Sequence, residues 1–245
     1  MIVFLTSSPS GPLDVPNYDK LLDPKNGFIE NMRQFWKPEM KGLIVSAAPD
    51  SFEGNDEMRD FFEQAFANGN IPVTGFDLWD YRSHDISAEE LNEYDFIMLA
   101  GGHVPTQNHF FQLIHLREKL KTYDGMIMGV SAGTMNSAHV VYAQPELPGE
   151  SVDPKYVRYL RGLGLTTHMI LPHYQMVKNF YLDGKRLFED ITYGDSKKHK
   201  TPFIALEDGS YIRIMDGETR LYGRAHKIAE GVLATICEEN ESILL

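Results

Sequence analysis

An apolar run, Met126-Ile127-Met128-Gly129-Val130, leads into Ser131-Ala132-Gly133, so a serine stands where a buried strand ends, with a glycine two residues to either side. No other stretch restricts the fold as much. A strand that turns sharply into a helix holds the residue at the turn in a strained backbone conformation, and only small neighbours let strand and helix come that close. Such a nucleophile elbow presents the serine hydroxyl at a helix N-terminus, whose free N–H groups favour a developing negative charge. A second apolar strand, Tyr94 to Ala100, runs into Gly101-Gly102 ahead of a predicted helix, as a loop of further backbone donors should.

Periodicity along the chain predicts strands at 2–6, 42–47, 71–78, 94–100 and 126–130. Helices are predicted at 27–35, 55–67, about 108–123 and from Ser131 onward. Strands alternating with helices, the strands apolar throughout, imply an α/β fold: a mostly parallel sheet with helices on both faces and its site at the C-terminal strand ends. Beyond Ala143 the chain changes character. Pro145, Pro148, Gly149, Pro154, Gly162 and Gly164 mark 143–164 as an excursion over the surface that borders the site. Residues 165–171 form a strand entering Pro172-His173-Tyr174, and a helix is predicted over 184–193. Strands at 202–207, 210–215 and 220–222, with Asp208-Gly209 and Asp216-Gly217 as turn dipeptides, make a small antiparallel addition near the C-terminus. With no linker, repeat or low-complexity tract in 245 residues, one domain over 1–245 is expected.

A formal net charge of −12 argues against nucleic acid or an anionic membrane as partner, since both select clustered Lys and Arg. The opening Met1 to Thr6 is too short and too poor in basic residues for a signal peptide. No later run approaches the roughly eighteen apolar residues of a membrane span, so a cytoplasmic location is expected. The single cysteine, Cys237, can form no internal disulfide and is assigned to packing. Among nine histidines, His103, His109 and His115 stand six apart, which is no metal-ligand spacing, and no His-Glu-x-x-His or cysteine pair occurs; neither metal nor cofactor is expected.

Ser131 needs a base within hydrogen-bond reach, and the base needs an acceptor to orient it. Only a neutral imidazole can accept the serine proton. His173, after Leu171-Pro172 at the end of an apolar strand, could face the same sheet edge as Ser131. In an α/β-hydrolase such as an esterase, His226 would instead be the base and Asp208 the acid.

Together, Gly101-Gly102, the elbow Gly129 to Gly133 with Met135-Asn136 beyond it, Pro172-His173-Tyr174 and Leu206-Glu207-Asp208-Gly209-Ser210 resemble the serine peptidases that include dipeptidase E and cyanophycinase. That resemblance implies a class I glutamine amidotransferase-like, flavodoxin-like fold with serine in place of the amidotransferase cysteine. It also implies a triad in the order Ser, His, acid. Carried onto this chain, the nucleophile is Ser131, the base His173 and the acid Asp208, which directly precedes Gly209-Ser210, with Glu207 the alternative. Backbone N–H groups of Gly102 and Ala132 are assigned to the oxyanion hole. After its glycines the chain departs from the family, with His103-Val104-Pro105-Thr106-Gln107-Asn108 where a further glycine and an asparagine are common. Gln107 and Asn108 are candidate substrate contacts; the simpler role is that Thr106 or Asn108 caps the following helix. The family prior is a short peptide substrate, with N-terminal aspartate preferred, and Arg186 is the candidate cation; Lys185 and Arg186 could equally be a solvated pair on a helix. A non-catalytic ligand-binding protein of the same fold is the reading from another functional class.

Overall fold

The computed structural model describes residues 1–199 and 201–245. Five parallel strands form the heart of the molecule: β1 (Ile2–Thr6), β2 (Met40–Val45), β3 (Val73–Trp79), β4 (Phe96–Leu99) and β5 (Met126–Val130), in the spatial order β3-β2-β4-β5-β1. Their continuous apolar sequence follows from burial on both faces, since alternate side chains feed two separate cores. Leu5, Val45, Ile97, Leu99 and Ile127 pack to one side, while Phe4, Ile44, Phe96, Met98, Met126 and Met128 pack to the other.

Helices α1 (Phe28–Arg33) and α2 (Phe52–Asn68) cover the second of these faces, α2 through Phe62, Ala65 and Phe66 at helical spacing. A short α3 (Ala88–Leu91), opened by a reciprocal Ser87–Glu90 capping box, contributes Leu91 to the first face together with α4 (Val104–Leu113) and α5 (Leu116–Lys119). The helix expected over about 108–123 thus starts earlier and is broken. Pro105 fits the first turn, where its missing N–H costs nothing, and His115 with φ 51° ends the regular helix. Neither Thr106 nor Asn108 is its cap; His103 is. The elbow helix α6 (Ala132–Asn136) follows β5 directly.

The second half builds more sheet than its sequence suggests. A hairpin of β6 (Val140–Tyr142) and β7 (Tyr159–Arg161) anchors the excursion. Strand β8 (Met169–Leu171) precedes the single-turn α7 (Tyr174–Val177). The helix expected over 184–193 begins only at Leu187: before it, Asp183 (φ 51°) and Gly184 (φ 76°) form a tight turn joining β9 (Tyr181–Leu182) to β10 (Lys185–Arg186). Positive φ at both central residues is the two-residue hairpin turn that Asp-Gly favours, and it stops any helix from starting there. A π-helical turn over Leu187–Thr192 and α8 (Tyr193–His199) come after it.

Strand β11 (Phe203–Leu206) pairs parallel to β8, and β14 (Ala225–Ala229) and β15 (Val232–Cys237) extend this second sheet in the order β15-β14-β11-β8. Strand β12 (Tyr211–Met215) pairs antiparallel with β1, and β13 (Glu218–Tyr222) and β16 (Ser242–Leu244) follow, each antiparallel to its neighbour, completing an eight-stranded central sheet. Asp216-Gly217 is a hairpin turn as expected, but Asp208-Gly209 is not: β11 and β12 on either side of it belong to different sheets. Cys237 is buried in the core. Among the described residues, no helix is long and apolar enough to cross a membrane.

Candidate active site

Ser131 sits between β5 and α6 with φ 49° and ψ −108°, a conformation that costs a side-chain-bearing residue about 1–3 kcal/mol. Neighbouring strands hold it there. The Ser131 N–H and the Thr134 hydroxyl both donate to the Thr6 carbonyl, at 3.2 and 2.8 Å, and the Gly133 N–H donates to the Ala100 carbonyl at 3.1 Å. The flanking glycines answer a close approach: a Cβ on Gly133 would lie 2.2 Å from the Leu99 carbonyl oxygen, and one on Gly129 would lie 2.9 Å from the Thr134 backbone nitrogen.

His173 follows β8 and Asp208 follows β11, so the parallel pairing of these two strands delivers both residues to one edge. The Ser131 Oγ lies 2.8 Å from His173 Nε2, and His173 Nδ1 lies 2.6 Å from Asp208 Oδ1. With the proton on Nδ1, His173 donates to Asp208 and accepts from Ser131, a direction that suits proton abstraction from the hydroxyl. His173 is itself held in a left-handed conformation, φ 58°.

Two residues that sequence reasoning missed complete this arrangement. Ser7, fully buried just past β1, donates its hydroxyl to Asp208 Oδ1 at 2.6 Å and accepts the backbone N–H of His173 at 2.7 Å. Gln175 donates Nε2 to Asp208 Oδ2 at 2.6 Å, and its Oε1 accepts the Asp208 N–H at 3.0 Å. The available signal was a polar residue at the C-terminal end of a central strand, and a polar residue two beyond His173. Burial pushes the Asp208 carboxyl up, but the hydrogen bond and charge of His173, with the bonds from Ser7 and Gln175, outweigh it and hold the group below the ordinary carboxylate value.

The alternative acid and base lie together elsewhere. Glu207 Oε1 is 3.2 Å from His226 Nε2, and His226 Nδ1 is 3.1 Å from the Thr235 hydroxyl, so each engages the other rather than Ser131. The α/β-hydrolase arrangement is therefore not assembled.

Gly102 has φ 154°, and a Cβ there would approach Ala47 Cβ to 2.7 Å. As first residue of α6, Ala132 has an N–H with no acceptor within its helix, and neither it nor the Gly102 N–H meets another backbone acceptor among the described residues. Gly102, Ser131 and His173 line one cavity of about 370 Å³, whose other walls are mostly apolar: Leu13, Met135, Met176, Val177, Phe180, Tyr181 and Leu187, with Gln144, Pro145 and Glu146 contributed by the excursion. The excursion thus borders the site as expected. Another cavity of about 270 Å³, lined by Phe111, Arg117 and Arg161 among others, contains none of these residues. Among the described residues no group of three metal-ligating side chains occurs.

Three assigned substrate contacts do not reach this cavity. Gln107 is fully buried, donating to the Ala100 carbonyl at 2.7 Å and accepting from Asn136. Asn108, also buried, donates to Asn136 Oδ1 and to the Arg161 carbonyl. Both tie α4 to α6 and so brace the elbow. Arg186 lies on β10, its guanidinium gripped by Asp190 at 2.6 and 3.0 Å, and it does not line the cavity.

A crystal structure of a peptidase from an acI-B1 Actinobacterium resembles this chain with a TM-score of 0.61 at 15% identity, over 100% of this chain and 96% of that one. A putative peptidase E protein from Listeria monocytogenes EGD-e, also a crystal structure, matches with a TM-score of 0.56 at 15% identity, covering 96% of this chain and 98% of its own. At that identity the likeness is one of fold. No curated protein sequence matches. The model of peptidase family S51 matches residues 45–222, well over half of the chain and spanning Gly102, Ser131, His173 and Asp208, so the chain belongs to peptidase family S51, a family of serine peptidases.

Proposed function

We propose that the chain hydrolyses short peptides through an acyl-enzyme intermediate on Ser131, with His173 as base and Asp208 as the acid that orients it. The unbroken relay Ser131–His173–Asp208, at 2.8 and 2.6 Å, is the observation that carries this reading. His173 Nε2 takes the Oγ proton as Oγ attacks the scissile carbonyl, and the resulting imidazolium is stabilised by the carboxylate on its other side. The oxyanion then forms beside the free N–H groups of Gly102 and Ala132; each such donor contributes about 3 kcal/mol to the transition state. Collapse returns the proton to the leaving amine. Water, activated by the same imidazole, afterwards cleaves the ester and regenerates Ser131.

The strained backbone of Ser131 supports this role, because strain of that kind persists where function requires it. The same hydrogen bonds count against a ligand-binding protein without catalysis, since such a protein needs no base oriented on a serine hydroxyl. Preference for N-terminal aspartate, which likeness to dipeptidase E implies, requires a cation at the substrate side chain. Among the described residues no Lys or Arg lines the cavity, and Arg186 is already neutralised by Asp190. Aspartyl specificity therefore draws no support from the geometry.

A fluorophosphonate tests the proposal: Ser131 Oγ bonds to phosphorus, fluoride leaves, and the His173-bound proton is released to solvent. Wild type should be labelled at Ser131, and Ser131→Ala and His173→Ala should not. Labelling of wild type and His173→Ala at equal rates would remove the base from the mechanism, and an unlabelled wild type would reject the hydrolase reading.

A further inference from the structure

Resting on the reading of Ser131 as nucleophile, we propose that its cavity selects peptides with an apolar N-terminal residue, whose side chain packs on the apolar wall and whose free α-ammonium pairs with Glu146. Two observations meet here. The wall next to Ser131 is built from Met135, Met176, Val177, Phe180 and Leu187, surfaces that reward burial of hydrocarbon at roughly 25 cal/mol per Å² and give an acidic side chain no partner. The single carboxylate in that lining is Glu146, on the excursion loop.

Glu146 is set up to receive a cation. Its side chain has no hydrogen-bond or ion-pair partner among the described residues. The nearby acidic group, Glu150, is fully engaged: Oε1 faces His103 Nε2 at 2.8 Å, and Oε2 accepts the backbone N–H groups of Glu146 and Leu147 at 2.8 and 3.0 Å. Those bonds fix the loop, and Asp183 fastens it again by accepting from Gly149 N, Ser151 N and the Ser151 hydroxyl. Glu146 lines the cleft and is exposed to solvent there. Desolvation by the surrounding loop, with the charge of Glu150 added, pushes its carboxyl up from the ordinary value. An arriving ammonium favours the ionised carboxylate and draws Glu146 back toward the ordinary carboxylate range as the pair forms. With the scissile carbonyl at Ser131, the α-amine of the same residue lies one bond beyond its Cα, so side chain and amine are read together.

The test compares Leu-Ala, N-acetyl-Leu-Ala, N-acetyl-Lys-Ala and Asp-Ala on wild type and on Glu146→Gln, scored as kcat/KM for alanine release. Wild type should cleave Leu-Ala at least ten-fold better than each of the other three. Glu146→Gln should lose ten-fold or more on Leu-Ala, chiefly in KM, so that the preference for a free over an acetylated amine collapses. Equal preference in wild type and variant would overturn the role of Glu146. Cleavage of Asp-Ala as fast as Leu-Ala would overturn the apolar selection, and efficient cleavage of N-acetyl-Lys-Ala would move the ammonium from the α-position to a side chain. Wild type that labels at Ser131 but cleaves no apolar free-amine peptide refutes this inference alone, whereas wild type that does not label refutes the nucleophile assignment and this inference with it.

Discussion

Replacing Ser7 by alanine removes two hydrogen bonds that converge on one fully buried hydroxyl. One is donated to Asp208 Oδ1 at 2.6 Å and the other accepted from the His173 N–H at 2.7 Å. A bond to an ionised carboxylate contributes about 1.5–3 kcal/mol, and a backbone N–H left buried without an acceptor costs a further ~1–3 kcal/mol. Asp208 keeps its bonds from His173 and Gln175, so the two losses do not add in full and a destabilisation of about 2–4 kcal/mol is expected. In urea unfolding this appears as a lower midpoint with an unchanged slope, because no additional surface is exposed. Turnover should suffer as well. The released N–H belongs to the left-handed residue that aims the imidazole, and a loss of about 1.4 kcal/mol in the transition state corresponds to a ten-fold lower kcat. KM should hardly move, since Ser7 does not line the cavity. A lower midpoint with intact kcat would refute the positioning role, and unchanged values of both would mean that Asp208 and His173 are held without Ser7.

Asp208→Asn should reduce turnover by several orders of magnitude, since the imidazole loses its orienting acceptor, while Glu207→Gln leaves turnover near wild type; the reverse pattern in kcat would transfer the acid role to Glu207. Gly133→Ala should destabilise the chain by about 1–3 kcal/mol and slow fluorophosphonate labelling, because the added Cβ meets the backbone oxygen of Leu99 and only movement of β4 or α6 can relieve it; a wild-type labelling rate would show that the elbow tolerates the methyl group. The folded-state carboxyl of Asp208 lies below its ordinary value, so it stabilises the fold at pH above ~3.9, and that contribution is lost as pH falls from there toward the folded-state value. The stability difference between wild type and Asp208→Asn should therefore be largest near neutral pH and shrink on acidification; a difference that grows below pH 4 in urea melts contradicts it.

What could be read from the sequence was local or followed from strand ends. The elbow is legible because apolar strand, serine and small neighbours all fall within eight residues. His173 is only faintly legible, as a histidine just past an apolar strand, and Asp208 is legible through the family resemblance alone, because the parallel pairing of β8 and β11 that brings the two together is written in neither strand. Ser7 is illegible for the opposite reason: its partner Asp208 is 201 residues away, and the contact depends on the end of a strand in the second sheet meeting the end of β1 inside the first. The C-terminal strands were foreseen as a hairpin series, yet Asp208-Gly209 carries the chain from one sheet to the other, a change that no turn dipeptide encodes.

Specificity was harder still, since the cavity walls come from loops whose mutual positions depend on single side chains. Arg186 attracts attention because it follows His173 closely and is basic, but Asp190 stands four residues further on and accepts from both its Nε and Nη2. The Asp183-Gly184 turn explains the rest. It delays the expected helix to Leu187 and makes a hairpin whose Tyr181 and Leu182 line the cavity, and the Asp183 carboxylate at that turn grips Gly149 and Ser151 of the excursion. One turn residue thus sets two walls of the cleft relative to each other. Losing that grip should loosen the excursion and with it Pro145 and Glu146, without touching the bonds among Ser131, His173 and Asp208. On the proposed reading, Ser131, His173 and Asp208 are held by strand ends, and the walls of their cleft by a strap between two loops.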